Sequence, residues 1–600
     1  FNILGSGPVD VRRGRKGGGH RIDWQLDPTT GIRFPKLFSH YRWPSCNFQS
    51  NGADIKGPWE LARCQHFAAL GQAYWLSGNE RFAQIYAKTI LDFLHHNPPG
   101  TGIHWACSMD VALRSVGWMV GLSFFQGSPA LSFRWWRRFL KALVAHGRFL
   151  AANLEIGNID KRLITSNHYT ANLLGLYWIS TCFPHLDAGN VWRGLAERGL
   201  EREIRHQILT DGGNFESSVP YHRLTTEMFL SAYAMSHHSG TPLSEGYRDR
   251  LLAALRFSKA LRQPGGRWPQ IGDADNGRGH ILTGYGSWSQ DSMDHLLVAG
   301  AHALNCPDLA EGLPEPTFVE QLFWGDQRPQ PASLPPISNP VVFPDFGVAV
   351  LHGGESCVSV SNGAAGTQGF GNHKHNDQLA IEWVLGDQPI FIDGGSYTYT
   401  RNPDARNHFR STAQHNTVIV DEEEQNTFDP EALFRMNQEG ECSLESSVSS
   451  EECVGVSGFH TAYARLDPPV RHQRRILVRD DGIVVISDHL DGGTGHRLCW
   501  HMLAHPDVQV TIIDNQPILK REGTSAKLIS SRIFNWRVEK GWYSAGYGQR
   551  VPTQALMADG APDEERFILV FVPEGLETPN IDEMADLADT VFGNTQSRPK

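Results

Sequence analysis

From Pro58 to Ala303 the apolar residues recur at helical spacing. The clearest stripe is Phe82, Ile85, Tyr86, Ile90, Phe93 and Leu94, at steps of three, one, four, three and one, which is one face of a helix over 80–96. The same period predicts helices near 59–76, 108–124, 131–154, 168–180, 192–209, 221–238, 243–261 and 288–303. Turn signals such as NPPG, QGSP and QPGG separate several of them. Helices of this length joined by short loops, with no strand run between them, predict an all-α domain. Their succession suits an α/α toroid, and the absence of a fixed-period repeat argues against a regular solenoid.

At 325–340 the text becomes GDQRPQPASLPPISNP, with five prolines in sixteen residues, the composition of a linker. Beyond it the period drops to two. Short β-like runs at 341–350, 358–361, 379–385, 417–420, 473–478, 482–488, 497–502, 508–513 and 567–572 predict an antiparallel β-sandwich. The expected architecture is therefore α+β and multidomain, an N-terminal α/α toroid followed by a C-terminal antiparallel β-sandwich. The boundaries read as an irregular N-terminal arm over 1–57 laid on the toroid, the toroid over 58–325, the linker over 326–340 and the sandwich over 341–600.

Composition narrows the function classes. A 600-residue chain with 40% hydrophobic and 20% charged residues is that of a globular protein of two or three domains. A net charge of -11 argues against nucleic acid as a partner, since phosphate contacts call for a basic surface, yet leaves room for a local cleft that takes an anionic polymer. The nine cysteines are scattered with no CxxC pair, so buried free thiols are expected rather than a disulfide framework. No apolar run approaches a membrane span. The chain begins at Phe1 and no signal peptide is legible; a leader removed from a periplasmic or secreted bacterial protein is the favoured expectation, with the compartment left open.

Three segments could carry chemistry. In TSNHYTANLLGL, Asn167 and His168 stand where a loop enters a helix, near its positive dipole end, although Asn167 also fits a plain cap. In DGGNFESSVPYHR, Tyr221 opens a helix with Arg223 two residues on, so its phenolate is expected to be stabilised by both; a core tyrosine beside a surface arginine is the bland alternative. The stretch 371–417 threads His373, His375, Asp393 and His415 among β-like runs. His373 and His375, two apart, share one face of an extended chain. Two imidazoles and a carboxylate from neighbouring strand ends make a transition-metal site, or else three unrelated polar residues. The acidic stretch GDADNGRGH at 272–280 lacks the bidentate glutamate of a calcium loop and reads as a structured turn.

Taken in order, GIHWACSMDVALR, NHYTANLLGLYW, DGGNFESSVPYHR and the NHKHND…FIDGGSY…QHNT region resemble the heparinase II/III-like polysaccharide lyases across both domains. The resemblance implies the toroid-plus-sandwich fold and places the family's catalytic Asn–His pair on Asn167 and His168, its tyrosine on Tyr221 and its β-domain histidine on His373. It places a structural zinc on His375, Asp393 and His415, although three protein ligands plus a water is equally the pattern of catalytic zinc. The implied reaction is β-elimination on a uronic-acid-containing polysaccharide. Asn167 and His168 would neutralise the uronate carboxylate, and Tyr221 would act as acid and base, or as acid opposite a histidine base. Trp105, Arg223 and Tyr397 are candidate substrate contacts.

Two departures limit the transfer. Ala171 stands three residues after His168, where some relatives carry a carboxylate, and no dense Lys/Arg cluster demands a highly sulfated chain. The rival readings are a glycoside hydrolase using Asp110 and Glu216, and a non-catalytic polysaccharide-binding protein of an exopolysaccharide system.

Overall fold

The computed structural model describes residues 9–11, 22–36, 52–159, 161–286, 291–325, 334–531, 534–560 and 564–593. Much of the arm, positions 326–333 of the linker and the expected helix start at 288–290 lie outside the described residues. The helical half is built by alternation. Helices Phe67–Ser77, Ser108–Phe125, Asn167–Cys182, Val219–His238 and Asp294–Ala303 contact one another in succession. Ser108–Phe125, Asn167–Cys182 and Val219–His238 are buried on nearly every side, as expected of helices apolar all round. Glu80–His96, Phe133–Ala152, Val191–Gln207 and Glu245–Ala260 pack outside them with one buried face each. This inner and outer pairing is the α/α toroid. Serines at the helix entries accept from backbone N–H groups two or three residues on, Ser132 from Trp135, Ser166 from His168, Ser218 from Tyr221 and Ser244 from Tyr247.

The β half is antiparallel throughout. One sheet of eight strands runs, in spatial order, Gln509–Ile513, Gln516–Arg521, Thr524–Ser530, Arg566–Pro573, Val484–Asp491, Arg471–Arg479, Cys453–His460 and Cys442–Ser449. A five-stranded sheet from Val341–Phe343 to Gln388–Phe391 faces it. A four-stranded sheet that includes Val418–Val420 and Leu498–Leu503 continues the second layer through the Phe391–Ala504 bridge. Val484 and Ile486 point into the sandwich core. Val485, between them, packs under the terminal helix Ile581–Phe592, so the eight-stranded sheet is apolar on both faces. The toroid core runs on into Phe346, Val348 and Val350, which welds the two halves together.

Several details differ from the sequence-based expectation. The first predicted helix is two, Lys56–Arg63 and Phe67–Ser77, parted by Cys64 in the left-handed region at φ 58°. A short hairpin, Gly157–Ile159 with Arg162–Ile164, interrupts the helical half where no strand was expected. The run at 341–350 is likewise two strands around a turn, Val341–Phe343 and Val348–Gly353. Helix Ile581–Phe592, whose apolar residues do recur at helical spacing, and the long hairpin Asn535–Gly546 with Gln549–Asp559 are further elements beyond those expected.

Candidate active site

A cleft of about 1250 Å³ opens between the toroid and the sandwich. The helices Ser108–Phe125, Asn167–Cys182 and Val219–His238 present their N-termini around it, bringing Asn167, His168 and Tyr221 to its wall. Three positive helix ends suit an anionic ligand. From the sandwich, His373 and Tyr399 complete the wall. The halves are stitched at Gly272, whose φ of +69° and contact with His373 (a Cβ would meet its carbonyl oxygen at 2.5 Å) leave room for no side chain. The Asp273 N–H donates to that carbonyl at 3.0 Å.

Asn167 is held rigidly. Buried Glu216 accepts from its backbone N–H and from Nδ2, both at 2.7 Å. Asn167 Oδ1 is buried with no hydrogen-bond partner among the described residues. His168, whose side chain is 41% exposed, meets Glu155 Oε1 through Nδ1 at 3.1 Å, which leaves Nε2 as the ring nitrogen open to a ligand. Burial works against the imidazolium, but the charge and hydrogen bond of Glu155 outweigh it and raise the His168 pKa. Glu155 is itself fixed by Met109 N–H at 2.8 Å and Asn172 Nδ2 at 3.0 Å. Ala171 is buried in the core, and the carboxylate that His168 meets comes from the loop residue Glu155.

Tyr221 and His373 stack face to face, ring centroids 3.5 Å apart at 18°. The Tyr221 hydroxyl donates to Asp275 Oδ2 at 3.0 Å and lies 3.2 Å from the Tyr399 hydroxyl. Burial, followed by the charges of Asp275 and Asp273, pushes its pKa well above the ordinary value, so it is held as a phenol. This corrects the expected cationic stabilisation. Arg223, two positions on, is turned some 200° round the helix. It is buried with Nη1 toward the Ser292 carbonyl at 3.5 Å and does not line the cleft.

Asp273 and Asp275, read from sequence as parts of a turn, form the charged hub. Asp273 accepts from His373 Nδ1 and His375 Nε2, each at 2.9 Å, and from the Arg406 guanidinium at 2.6 and 2.8 Å. Burial opposes its ionisation, but Arg406 and the two histidines hold the carboxyl far below its usual range. Asp275 is paired with Lys56. Arg63 is paired with Glu60 at 2.5 Å and Asp110 at 2.8 Å. The two histidines do share one side, as expected, but on an irregular segment rather than a strand.

Two other candidate contacts lie elsewhere. Trp105 is fully buried, packed against His146 and Phe149, with Nε1 toward the Asn97 carbonyl at 3.3 Å. Tyr397, at φ 59°, packs on Phe409 and under Arg550, outside the cleft wall, and Tyr399 occupies the place foreseen for it. Of the rival pair of carboxylates, Asp110 is engaged by Arg63, and both oxygens of Glu216 by Asn167.

His375, Asp393 and His415 converge behind His373, all buried, with ligand atoms within 4.8 Å of one another. His415 Nδ1 meets Asp393 Oδ2 at 2.6 Å. His375 Nδ1 and His415 Nε2 are buried without hydrogen-bond partners among the described residues. Two orphaned imidazole nitrogens beside a carboxylate are a donor set that fits zinc.

A model described as Heparinase II/III N-terminus matches residues 13–290, and one described as Heparinase II/III-like, C-terminal matches residues 336–572. A heparin-sulfate lyase of Bacteroides stercoris is 21% identical over 559 residues, 86% of this chain and 75% of that protein. A solved structure of heparinase III superposes with a TM-score of 0.69 at 17% identity, over 94% of this chain and 80% of the other. The heparan sulfate lyase from Pedobacter heparinus does so with a TM-score of 0.59 at 17% identity, over 96% and 86%. These structures share the fold of this chain.

Proposed function

The chain belongs to the heparinase II/III-like family and is a polysaccharide lyase, and we propose that it cleaves a uronic-acid-containing chain by β-elimination with Tyr221 as acid and His373 as base. The observation that carries this reading is the stacked Tyr221–His373 pair, one ring from each domain, beside the Asn167–His168 corner. The proton α to a uronate carboxylate is very weakly acidic, so the carboxylate charge must be offset as the enolate-like state develops. Asn167 Nδ2 and His168 Nε2 are the donors for it. Oδ1 of Asn167 would accept from a substrate hydroxyl.

His373 donates Nδ1–H to Asp273, a tautomer that places the lone pair on Nε2. That lone pair takes the C5 proton. Tyr221 gives its proton to the departing glycosidic oxygen as the C4–O bond breaks, leaving a C4–C5 double bond. The imidazolium of His373 then lies against the Tyr221 phenolate and returns the proton, which resets both groups. Burial and two carboxylates hold Tyr221 as the phenol, so it enters the reaction with a proton to give and none of its phenolate free to take one, which favours the divided roles over Tyr221 doing both.

Zinc on His375, Asp393 and His415 would hold the His373 segment in place; when bound it supplies a fixed positive charge and rigid geometry. As substrate we infer a uronate polymer of low sulfation. Lys56 and Arg63 in the cleft are already paired with carboxylates, and Asp404 and Glu431 lie on the same wall. Screening heparan sulfate, other glycosaminoglycans, alginate and bacterial exopolysaccharides for ultraviolet-absorbing unsaturated uronates tests the reading. Reducing ends without that absorbance would replace it with hydrolysis.

A further inference from the structure

Behind His168 the cleft wall holds a second donor set. Cys107 Sγ lies 3.5 Å from Glu155 Oε1 and 3.7 Å from His168 Nδ1, and the latter two are 3.1 Å apart. The three atoms converge on one point. A tetrahedral zinc with bonds of about 2.3 Å to sulfur and about 2.0–2.2 Å to nitrogen and oxygen has S···N and S···O edges of about 3.5–3.6 Å and an N···O edge of about 3.4 Å. Each observed separation is within a few tenths of an ångström of its edge, before any ion has drawn the ligands in.

The set is built rather than accidental. Glu155 is pinned through its other oxygen by Met109 N–H and Asn172 Nδ2, and its own N–H donates to Asn172 Oδ1 at 2.8 Å. Cys107 is the buried N-cap residue of helix Ser108–Phe125; burial and the charges of Glu155 and Asp110 hold its thiol protonated, donating to Glu155, so it is the arriving ion that displaces the proton. His168 and Glu155 line the cleft while Cys107 lies behind them, which leaves a fourth position open toward the cleft. Thiolate, imidazole and carboxylate together are the ligands of a zinc-class ion, not of calcium or magnesium.

We propose that Cys107, Glu155 and His168 form a second site for a borderline-soft divalent cation such as zinc or cadmium, through which the metal inhibits the enzyme. Binding releases the thiol proton and the Nδ1 proton of His168, and the thiolate and carboxylate balance the two charges of the ion. The Glu155–His168 hydrogen bond, which orients the ring for the uronate carboxylate, is replaced by coordination. The inhibitory part rests on the role assigned to His168 above; the binding part does not.

Cadmium added to the zinc-replete enzyme is the probe, read by thiolate-to-cadmium charge-transfer absorption. One further equivalent should saturate the band. Cys107→Ser and Cys107→Ala should each abolish it, with circular dichroism reporting their folding, while Cys182→Ser, at an exposed thiol, should retain it. In turnover assays, Cys107→Ser should need at least about 10–100-fold more zinc for half-inhibition, the scale by which lesser changes around a site weaken metal affinity. No band in the unmodified enzyme, or a band surviving in both Cys107 variants, overturns the site. Full turnover with the band saturated, or zinc inhibition unchanged in Cys107→Ser, overturns its inhibitory role. The absorption is read without substrate, so its failure is distinct from a failure to find lyase products.

Discussion

Tyr221 and His373 come from different domains, 152 positions apart in the chain, and lie ring on ring at 3.5 Å. A reaction that needs both groups therefore depends on the seam between toroid and sandwich. That seam is held by Asp273, which bonds His373, His375 and Arg406 at once.

The protonation state of Tyr221 gives a pH prediction. Burial and the charges of Asp275 and Asp273 raise its pKa, so the phenol persists as pH rises. Removing one negative neighbour lowers that pKa, and the phenolate, useless as an acid, then forms at lower pH. Asp275→Asn should move the alkaline limb of the kcat profile toward lower pH. An unmoved limb would mean that another group sets it.

Glu216 positions Asn167 through two hydrogen bonds of 2.7 Å. Glu216→Ala should lower kcat/KM by about 100-fold, the cost of misplacing a reacting contact by roughly an ångström. Steady-state kinetics on the best polymer would check this. A change confined to thermal stability would make Glu216 a packing residue only.

The metal set predicts a split between stability and chemistry. His375→Ala should lose one equivalent of zinc by elemental analysis and lower Tm by about 5–10 °C, the scale of losing ~2–4 kcal/mol from a domain of this size. Chelation of the unmodified enzyme should do the same. Unchanged Tm with abolished turnover would assign the ion to the reaction itself.

The placement of Tyr399 on the cleft wall and of Trp105 in the core has a direct check. Tyr399→Phe removes the hydroxyl 3.2 Å from that of Tyr221 and should reduce kcat roughly tenfold, the worth of a hydrogen bond of ~1.4 kcal/mol. Trp105→Phe, in the core, should lower Tm and leave KM alone.

The long helices were legible because the outer ones carry an apolar stripe and the inner ones are long apolar runs bounded by turn signals, local features that need no partner. Asn167, His168 and Tyr221 could be placed at helix entries because an apolar helical period starts just beyond them and Pro220 marks one of those starts. Asp273 and Asp275 could not. They stand in an aperiodic loop, and the partners that give them meaning, Arg406 and Lys56, are 133 and 219 positions away. Choosing Tyr399 over Tyr397 was equally out of reach, because residues two apart on an extended chain share one face, and only the positive φ of Tyr397 sends the two rings to different places. Arg223 departs from its expected role for a simpler reason. Two residues on a helix face opposite ways, and its nearness in sequence to Tyr221 hid that. Glu155 gave one usable clue, a carboxylate in the loop that leads to Asn167, but nothing local ties it to His168.

The most direct test is the rate of ultraviolet absorbance on a uronate-containing polysaccharide, measured for the unmodified enzyme and for Tyr221→Phe. The account predicts unsaturated uronate ends from the first and a rate lower by about 10²–10⁴ from the second, the usual contribution of a positioned acid. Full absorbance from a folded Tyr221→Phe enzyme would contradict it.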